Sequence, residues 1–323
     1  MRIGVTGAGG FVGDRLVTRL AQFTRTRADA ATIVAIDASL PALLPPGVVR
    51  AEGDICDARF LEKVCADPYD VFFHLAALPG GAVEQTPRRG WQVNVEASVM
   101  LLERLAAQPK AARLVFASSI GVFGTPLPKV AVDDNTLPLP TMSYGAQKLI
   151  VEILISDFAR RGLVDGLALR LPGILARPRS KGGHLSAYMS DVLHALRAGE
   201  MFVCPVAESA TSWFMSCATC VDNLLHAASL PRERLAPRRA FNLPALHLAM
   251  RDLVDAAALH FGSRVRSLLS YEPNEALQAQ FGAYPPLSTP IADGLGFHHD
   301  RDAAELVANA LELAEGSTQR GAA

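Results

Sequence analysis

Tyr144-Gly145-Ala146-Gln147-Lys148 sets a phenol and an ammonium four residues apart, a spacing that puts both on one face of a helix. A free tyrosine titrates at about 10. A neighbouring positive charge favours the phenolate and lowers that value, each unit being worth about 1.4 kcal/mol. The pair is therefore suited to acid/base work near neutral pH. An alcohol that gives up a hydride must also give up its hydroxyl proton, and a poised tyrosine can take it. Ser118-Ser119 closes the apolar run Arg-Leu-Val-Phe-Ala-Ser-Ser. A hydroxyl at the carboxyl end of such a strand can hydrogen-bond the reacting oxygen. Ser119, Tyr144 and Lys148 are the candidate catalytic residues.

Such chemistry needs a hydride acceptor, and the amino terminus offers a place for one. Gly7, Gly10 and Gly13 stand in Val5-Thr6-Gly7-Ala8-Gly9-Gly10-Phe11-Val12-Gly13, after a strand-like run and before a helix-like one. The glycines allow a tight turn and let backbone N–H groups approach a pyrophosphate at the helix amino terminus. Asp37 ends the next strand-like run, Thr32 to Asp37. Its carboxylate suits the two adenosine ribose hydroxyls and repels a 2′-phosphate, so NAD is expected rather than NADP. Asp54-Ile55, after the third strand, is placed to meet the adenine. An oxidised nicotinamide ring would add a second positive charge favouring the Tyr144 phenolate, and Lys148 is placed to hold the nicotinamide ribose hydroxyls.

The elements that must position these residues alternate. Strands are expected at Ile3 to Thr6, Thr32 to Asp37, Val48 to Asp54, Asp70 to Ala76, Arg113 to Ser118 and Asp165 to Leu171. Helices are expected at Phe11 to Phe23, Val93 to Ala107 and Met142 to Arg161, from apolar residues at helical spacing. Nearly continuous apolar strands between helices predict an α/β fold, a Rossmann-type doubly wound parallel sheet. Pro126 to Pro140 is a proline-rich loop. After Pro172 the character changes, with helices expected at Ala187 to Arg197, Ala218 to Leu230, Leu248 to Phe261 and Asp300 to Glu315. Strands are expected there at Met201 to Val206, Ala240 to Leu243 and Leu268 to Tyr271. This gives an NAD-binding domain over 1–172, completed by about 209–243, and a smaller α+β substrate domain from 173–208 and 244–323.

Composition narrows the partners. A formal net charge of −1 leaves no basic excess for nucleic acid. No stretch is apolar and long enough to span a membrane, and no secretory signal is evident, so a cytoplasmic enzyme with a small-molecule substrate is expected. The 5 cysteines are odd in number and scattered, as expected of reduced thiols. Cys217 and Cys220 form one CxxC with no further ligands nearby, so no metal site is expected. Gly80-Gly81 follows the fourth strand and can offer backbone N–H groups to substrate. Arg177 and Arg179 flank Pro178 in a basic, glycine-rich loop and can reach an anion, while His184, beside Gly182-Gly183, is a further substrate candidate.

Taken in order, Thr6 to Gly13, His74-Leu75-Ala76-Ala77, Asn94-Val95, Ser118 to Gly124 and Tyr144 with Lys148 resemble the extended short-chain dehydrogenase/reductases of the NAD-dependent epimerase/dehydratase family. The resemblance implies a Rossmann domain with a substrate domain on top. It puts the catalytic hydroxyl on Ser119 and the cofactor along Phe11, Val12, Leu75, Ala76, Ala77, Asn94, Ser118 and Pro172. Phe123 stands where that family often has tyrosine. Ser143 to Lys148, Arg161 to Pro172, Val203 to Val206 and Trp213 are similar to the D-erythronate dehydrogenase group, whose members are often labelled nucleoside-diphosphate-sugar epimerases. This implies NAD-dependent oxidation of a hydroxyl of a small sugar acid. The alternative is a nucleoside-diphosphate-sugar epimerase, which uses the same residues but returns the hydride. That group carries arginines, suited to a carboxylate, where this chain has Thr211 and His194. Related enzymes pair through the Tyr/Lys helix, so Leu149, Ile150, Ile153 and Leu154 make a homodimer the expected assembly.

Overall fold

A computed structural model of the chain describes residues 1–25, 31–179, 185–235 and 237–313. Its central feature is a parallel sheet. In chain order the first six strands are β1 (Arg2–Thr6), β2 (Thr32–Asp37), β3 (Val48–Glu52), β4 (Val71–His74), β5 (Arg113–Ser119) and β6 (Asp165–Leu171). A seventh, Ala240–Asn242, adds beside β6. Across the sheet the order is Ala240–Asn242, β6, β5, β4, β1, β2, β3, and every pairing is parallel. This is the doubly wound Rossmann arrangement, and the chain reverses its winding direction between β1 and β4. Ligands bind such sheets at the carboxyl ends of the strands flanking that point.

The strand interiors explain the arrangement. β1, β4, β5 and β6 are buried along nearly their whole length, as a parallel sheet covered on both faces requires. β3 is mostly exposed, which suits an edge. The Phe11–Arg25 helix buries Leu16, Val17, Leu20 and Ala21. Phe23, expected on that buried stripe, is instead 50% exposed, with the Arg19 guanidinium over its ring. The Ser143–Arg160 helix buries Val151, Ile155 and Ala159, but also Gln147, Lys148 and Glu152. Polar side chains on a buried helix face need partners, and theirs lie in the site described below. Ile153 is exposed, and Leu149, Ile150 and Leu154 are half-buried.

The chain divides into two compact units. One comprises Met1–Phe123, Pro138–Leu171 and Val221–Asn242; the other comprises the described residues of Gly124–Leu137, Pro172–Cys220 and Leu243–Ala323. The expected boundaries put 124–137, 172 and 209–220 in the nucleotide-binding part, whereas they fall in the second unit. Pairing explains this. Thr211–Met215 is the middle strand of a small sheet, antiparallel to Leu246–Ala249 and parallel to Gly173–Ile174. Val132 bridges Leu287. A second pair joins Phe202–Cys204 to Leu269–Tyr271. The second unit's core gathers Leu175, Tyr188, Val192, Phe214, Leu253 and Leu306.

Three helices start or end away from their expected places. The Leu248 to Phe261 helix begins at Met250, because Leu246–Ala249 is taken into the small sheet and Asp252 accepts from the Ala249 N–H at 2.8 Å. The Asp300 to Glu315 helix runs Ala303–Leu311, capped by Asp302 on the Glu305 N–H. Asp300 itself turns inward and binds Ser216, Thr219 and Asn309. The Val93 to Ala107 helix opens with a π-turn at Gln92–Glu96 before continuing as Ala97–Ala106, an irregularity frequent at functional sites. Among the described residues no helix is long and apolar enough to cross a membrane.

Candidate active site

The glycine turn sits at the point where the sheet's winding reverses. Gly7 has φ +70°, and a Cβ there would stand 2.7 Å from the Ala76 nitrogen, so β1 and the segment after β4 approach closely only with glycine. A Cβ on Gly13 would overlap the Gly7 carbonyl oxygen, which lets the Phe11–Arg25 helix seat directly on the turn. Gly10 differs: its Cβ would meet the Gly7 oxygen at 3.2 Å and nothing else within 4 Å. The turn is thus tightly built against its own chain while its Gly10 side stays open. Phe11 and Val12 follow as the first residues of the helix.

Asp37 stands at the end of β2 beside this turn. It accepts from the Gly9 N–H and the Ser39 N–H, each at 3.0 Å. Gly9 was not among the residues singled out by the GxxGxxG spacing. A Cβ on it would overlap the Ser39 carbonyl. Two oxygens, each holding one N–H, keep further lone pairs for ribose hydroxyls. Open glycine, helix amino terminus and adjacent carboxylate together fit a dinucleotide. Asp37→Ala removes a charged acceptor, so the KM for NAD is expected to rise by about 10-fold or more at little cost in kcat. An unchanged KM would show that this carboxylate does not bind the cofactor.

Asp54 follows β3, and its carboxylate accepts from the Cys56 N–H at 2.9 Å and pairs with Arg89 at 2.6 Å. Desolvation opposes ionisation there, but these hydrogen bonds and the guanidinium win, holding Asp54 below the usual carboxylate range. Ile55 beside it is buried.

After β4 runs the segment containing Leu75, Ala76 and Ala77. Asn94, in the π-turn, clamps this segment. It accepts from the Leu78 N–H at 2.8 Å and donates to the Leu78 carbonyl at 3.1 Å and to Gln147 Oε1 at 2.8 Å. The clamp ties the end of β4 to the helix bearing Tyr144 and Lys148. Gly80, expected to offer its backbone N–H to substrate, begins the Gly80–Gln85 helix, and a Cβ on it would lie 3.8 Å from Tyr144 Cβ.

Below the clamp His74 is fully wired. Ser98 Oγ donates to the Asn94 carbonyl at 2.8 Å and therefore accepts from His74 Nε2 at 2.9 Å. Nδ1, 2.7 Å from Thr6 Oγ1, is left to accept. A neutral imidazole protonated at Nε2 satisfies both bonds, with the Thr6 hydroxyl donating to Nδ1. Burial, with the Lys148 charge adding to it, pushes His74 down to about 3 from an ordinary 6.5. In the unfolded chain the ring would take a proton below about 6.5, so stability is lost as pH falls from there toward 3, at up to about 1.4 kcal/mol per pH unit. His74→Gln should flatten the decline of melting temperature between neutral pH and pH 4. Parallel curves for the two proteins would remove His74 as the acid-sensitive group.

The catalytic candidates converge around Gly121. Ser119 ends β5 and accepts from the Gly121 N–H at 3.0 Å, which caps the turn Ile120–Val122 and fixes the hydroxyl's direction. A Cβ on Gly121 would lie 3.3 Å from Ser119 Oγ and 3.7 Å from Tyr144 Cδ1. Glycine at 145 permits this closeness, because a Cβ there would overlap the Gly121 carbonyl oxygen. Glu84 accepts from the Ser143 N–H at 2.8 Å at the start of the same helix. Lys148 is buried. Its Nζ donates to the Ala117 carbonyl at 2.7 Å and lies 4.5 Å from the Phe116 ring and 5.6 Å from the Tyr144 ring. Burial pushes its ammonium down to about 7, against the pull of Glu152.

Ser118 points away from Ser119, donating its hydroxyl to Glu152. Glu152 forms a buried two-bond pair with Arg170, which also reaches Asn242 at 3.2 Å. Glu152, Arg170 and Asn242 escaped the sequence reading. One signal was present: Glu152 stands one turn after Lys148, between the apolar Val151 and Ile155, where a solvated charge does not belong.

The remaining candidates lie in the second unit or outside the described residues. Pro172 is the residue after β6. Arg177 is held by its backbone, its N–H on Ser190 Oγ at 3.2 Å and its carbonyl on His194 Nε2 at 2.8 Å, while Ala176 before it has φ +57°. Arg179 pairs with Glu200 at the surface at 2.7 Å. Thr211 donates to the Tyr284 carbonyl, and Trp213, fully buried, to that of Pro285. His184 lies outside the described residues. Cys217 and Cys220 are buried, and burial pushes the Cys220 thiol well up.

The chain is similar to known proteins over nearly its whole length. The model of the NAD dependent epimerase/dehydratase family matches residues 3–233. D-erythronate dehydrogenase of Cupriavidus necator is 33% identical over 319 residues, spanning 97% of this chain and 98% of that protein. D-erythronate dehydrogenase of Haemophilus influenzae is 29% identical over 313 residues, spanning 97% and 99%. The crystal structure of a nucleoside-diphosphate-sugar epimerase from Agrobacterium tumefaciens superposes with TM-score 0.89 at 31% identity, covering 98% of this chain and 95% of that one. By the family match over residues 3–233 and the near full-length relatives, the chain belongs to the NAD dependent epimerase/dehydratase family and is an NAD-dependent oxidoreductase.

Proposed function

We propose that the chain oxidises a hydroxyl of a small sugar acid, a D-erythronate-like 2-hydroxy acid, with Tyr144 as the proton acceptor. The observation that carries this is the closeness of the Ser119 hydroxyl and the Tyr144 ring around Gly121, with the Lys148 ammonium 5.6 Å from that ring. The near full-length likeness to two D-erythronate dehydrogenases supports the substrate class.

Ser119 accepts from the Gly121 N–H and keeps its own proton to donate, so it orients the substrate hydroxyl oxygen. Tyr144, as phenolate, takes the proton as the O–H bond breaks. NAD, when bound, accepts the hydride released from the same substrate carbon. Lys148 favours the phenolate electrostatically, and its anchoring on Ala117 holds the charge in one place. Asp37 and the glycine turn would hold the adenosine ribose and the pyrophosphate.

NADH absorbance, followed with purified enzyme, NAD and a panel of sugar acids that includes D-erythronate, tests the reading. A sustained rise with a four-carbon sugar acid is expected. Interconversion of a nucleoside-diphosphate-sugar without net NADH, together with no rise on any acid, would replace it with an epimerase.

A further inference from the structure

Two buried cations bear on one carboxylate, Lys148 from the same helix and Arg170 from β6. Lys148 is 2% exposed and Arg170 8%. Glu152, 3% exposed, stands one helical turn after Lys148. Its carboxylate takes the Arg170 Nε at 3.0 Å and Nη2 at 2.8 Å, and also the Ser118 hydroxyl. Arg170 cannot turn aside, since Nη1 bonds Asn242 and the guanidinium lies over the Phe123 ring at 5.2 Å.

The other groups around Lys148 bring no countercharge. From β5 come the Phe116 ring and the Ala117 carbonyl. From β4 comes His74, kept neutral by its burial and bonded to Thr6 and Ser98. On its own helix stands Tyr144, one turn before it. A guanidinium keeps its proton at any working pH, whereas an ammonium gives it up when desolvated. A buried salt bridge adds little net stability to a fold.

We propose that Glu152, held by Arg170 and Ser118, is a positioning residue that keeps Lys148 charged next to Tyr144. The inference rests on the reading of Tyr144 as proton acceptor. Without the carboxylate, Arg170 is left an uncompensated buried cation, Lys148 loses the negative charge that opposes its desolvation, and Lys148 is the group that discharges. The Tyr144 phenolate then loses its support, and higher pH is needed to form it.

The test compares pH profiles of kcat/KM for substrate oxidation in wild type, Glu152→Gln, Arg170→Gln and the double variant. Glu152→Gln should move the acid limb up by about one pH unit or more and lower kcat at neutral pH about 10-fold. Arg170→Gln leaves Glu152 facing Lys148 alone and should move the limb the other way. The double variant, with both charges gone, should return toward wild type. Should Glu152→Gln fail to fold, the downward shift in Arg170→Gln and the return in the double variant still decide the matter. Limbs that stay in place, or move the same way in both single variants while only melting temperature falls, would overturn the proposal. If Tyr144→Phe is inactive while the limbs are static, Glu152 alone has been misread. If Tyr144→Phe is fully active, the proton-acceptor reading itself has failed.

Discussion

Tyr144→Phe should lower kcat for substrate oxidation by about 100- to 10,000-fold, the range expected when a positioned acid/base group is lost. NAD affinity and melting temperature should hardly change. The substitution removes one oxygen and leaves the ring, so the contact with Gly80 and the packing beside Gly121 persist. The ring also lies 5.6 Å from Lys148 Nζ, and a phenylalanine ring keeps that cation–ring contact. A large fall in kcat with NAD binding intact would therefore isolate the proton transfer. An equal loss of cofactor binding would instead assign Tyr144 to holding the dinucleotide, and a variant as active as wild type would move the acid/base role elsewhere. Titrating NAD by quenching of protein fluorescence, alongside steady-state rates, separates these outcomes.

Which parts of this arrangement the sequence discloses follows from how local each part is. The sheet is legible because most of its strands are apolar runs set between segments of helical spacing, and all seven pair in the doubly wound order. Tyr144 and Lys148 stand out because four residues is one helical turn. Asp37 stands out because it ends a strand following a glycine turn. What stays hidden depends on contacts between residues far apart in the chain. Glu152 finds Arg170 across 18 residues and Asn94 finds Gln147 across 53, and no local pattern marks either pair. Phe23 fits the helical stripe by spacing, yet it lies beyond the end of the buried face and is covered by Arg19 instead. Leu248 and Ala249 read as the start of a helix until Thr211–Met215 is beside them to pair with. The π-turn leaves no trace in hydrophobic periodicity, and its one visible cue is a buried asparagine amid apolar residues.

The same distinction separates the glycines of the GxxGxxG turn, which the sequence presents as equals. A Cβ on Gly13 would overlap the Gly7 oxygen and lie 2.7 Å from the Gly7 carbonyl carbon and 2.9 Å from Ala8 Cα. All three atoms belong to backbone or to its Cα, so nothing flexible can yield. Gly13→Ala must push the helix off the turn, at the cost of about 1–3 kcal/mol expected for an overfilled site. In a protein of this size that is a melting temperature lower by roughly 5 °C, with NAD binding lost as the turn deforms. A Cβ on Gly10 would meet only the Gly7 oxygen at 3.2 Å. Gly10→Ala should therefore fold with nearly wild-type stability, while its methyl group occupies the open side where the pyrophosphate is expected to approach, raising the NAD dissociation constant by about 10-fold or more. Thermal melts and NAD titrations of the two variants decide the point. If Gly10→Ala binds NAD as wild type does, the open side of the turn is not where the phosphates sit. If Gly13→Ala melts unchanged, the helix has room to move that its contact with Gly7 denies.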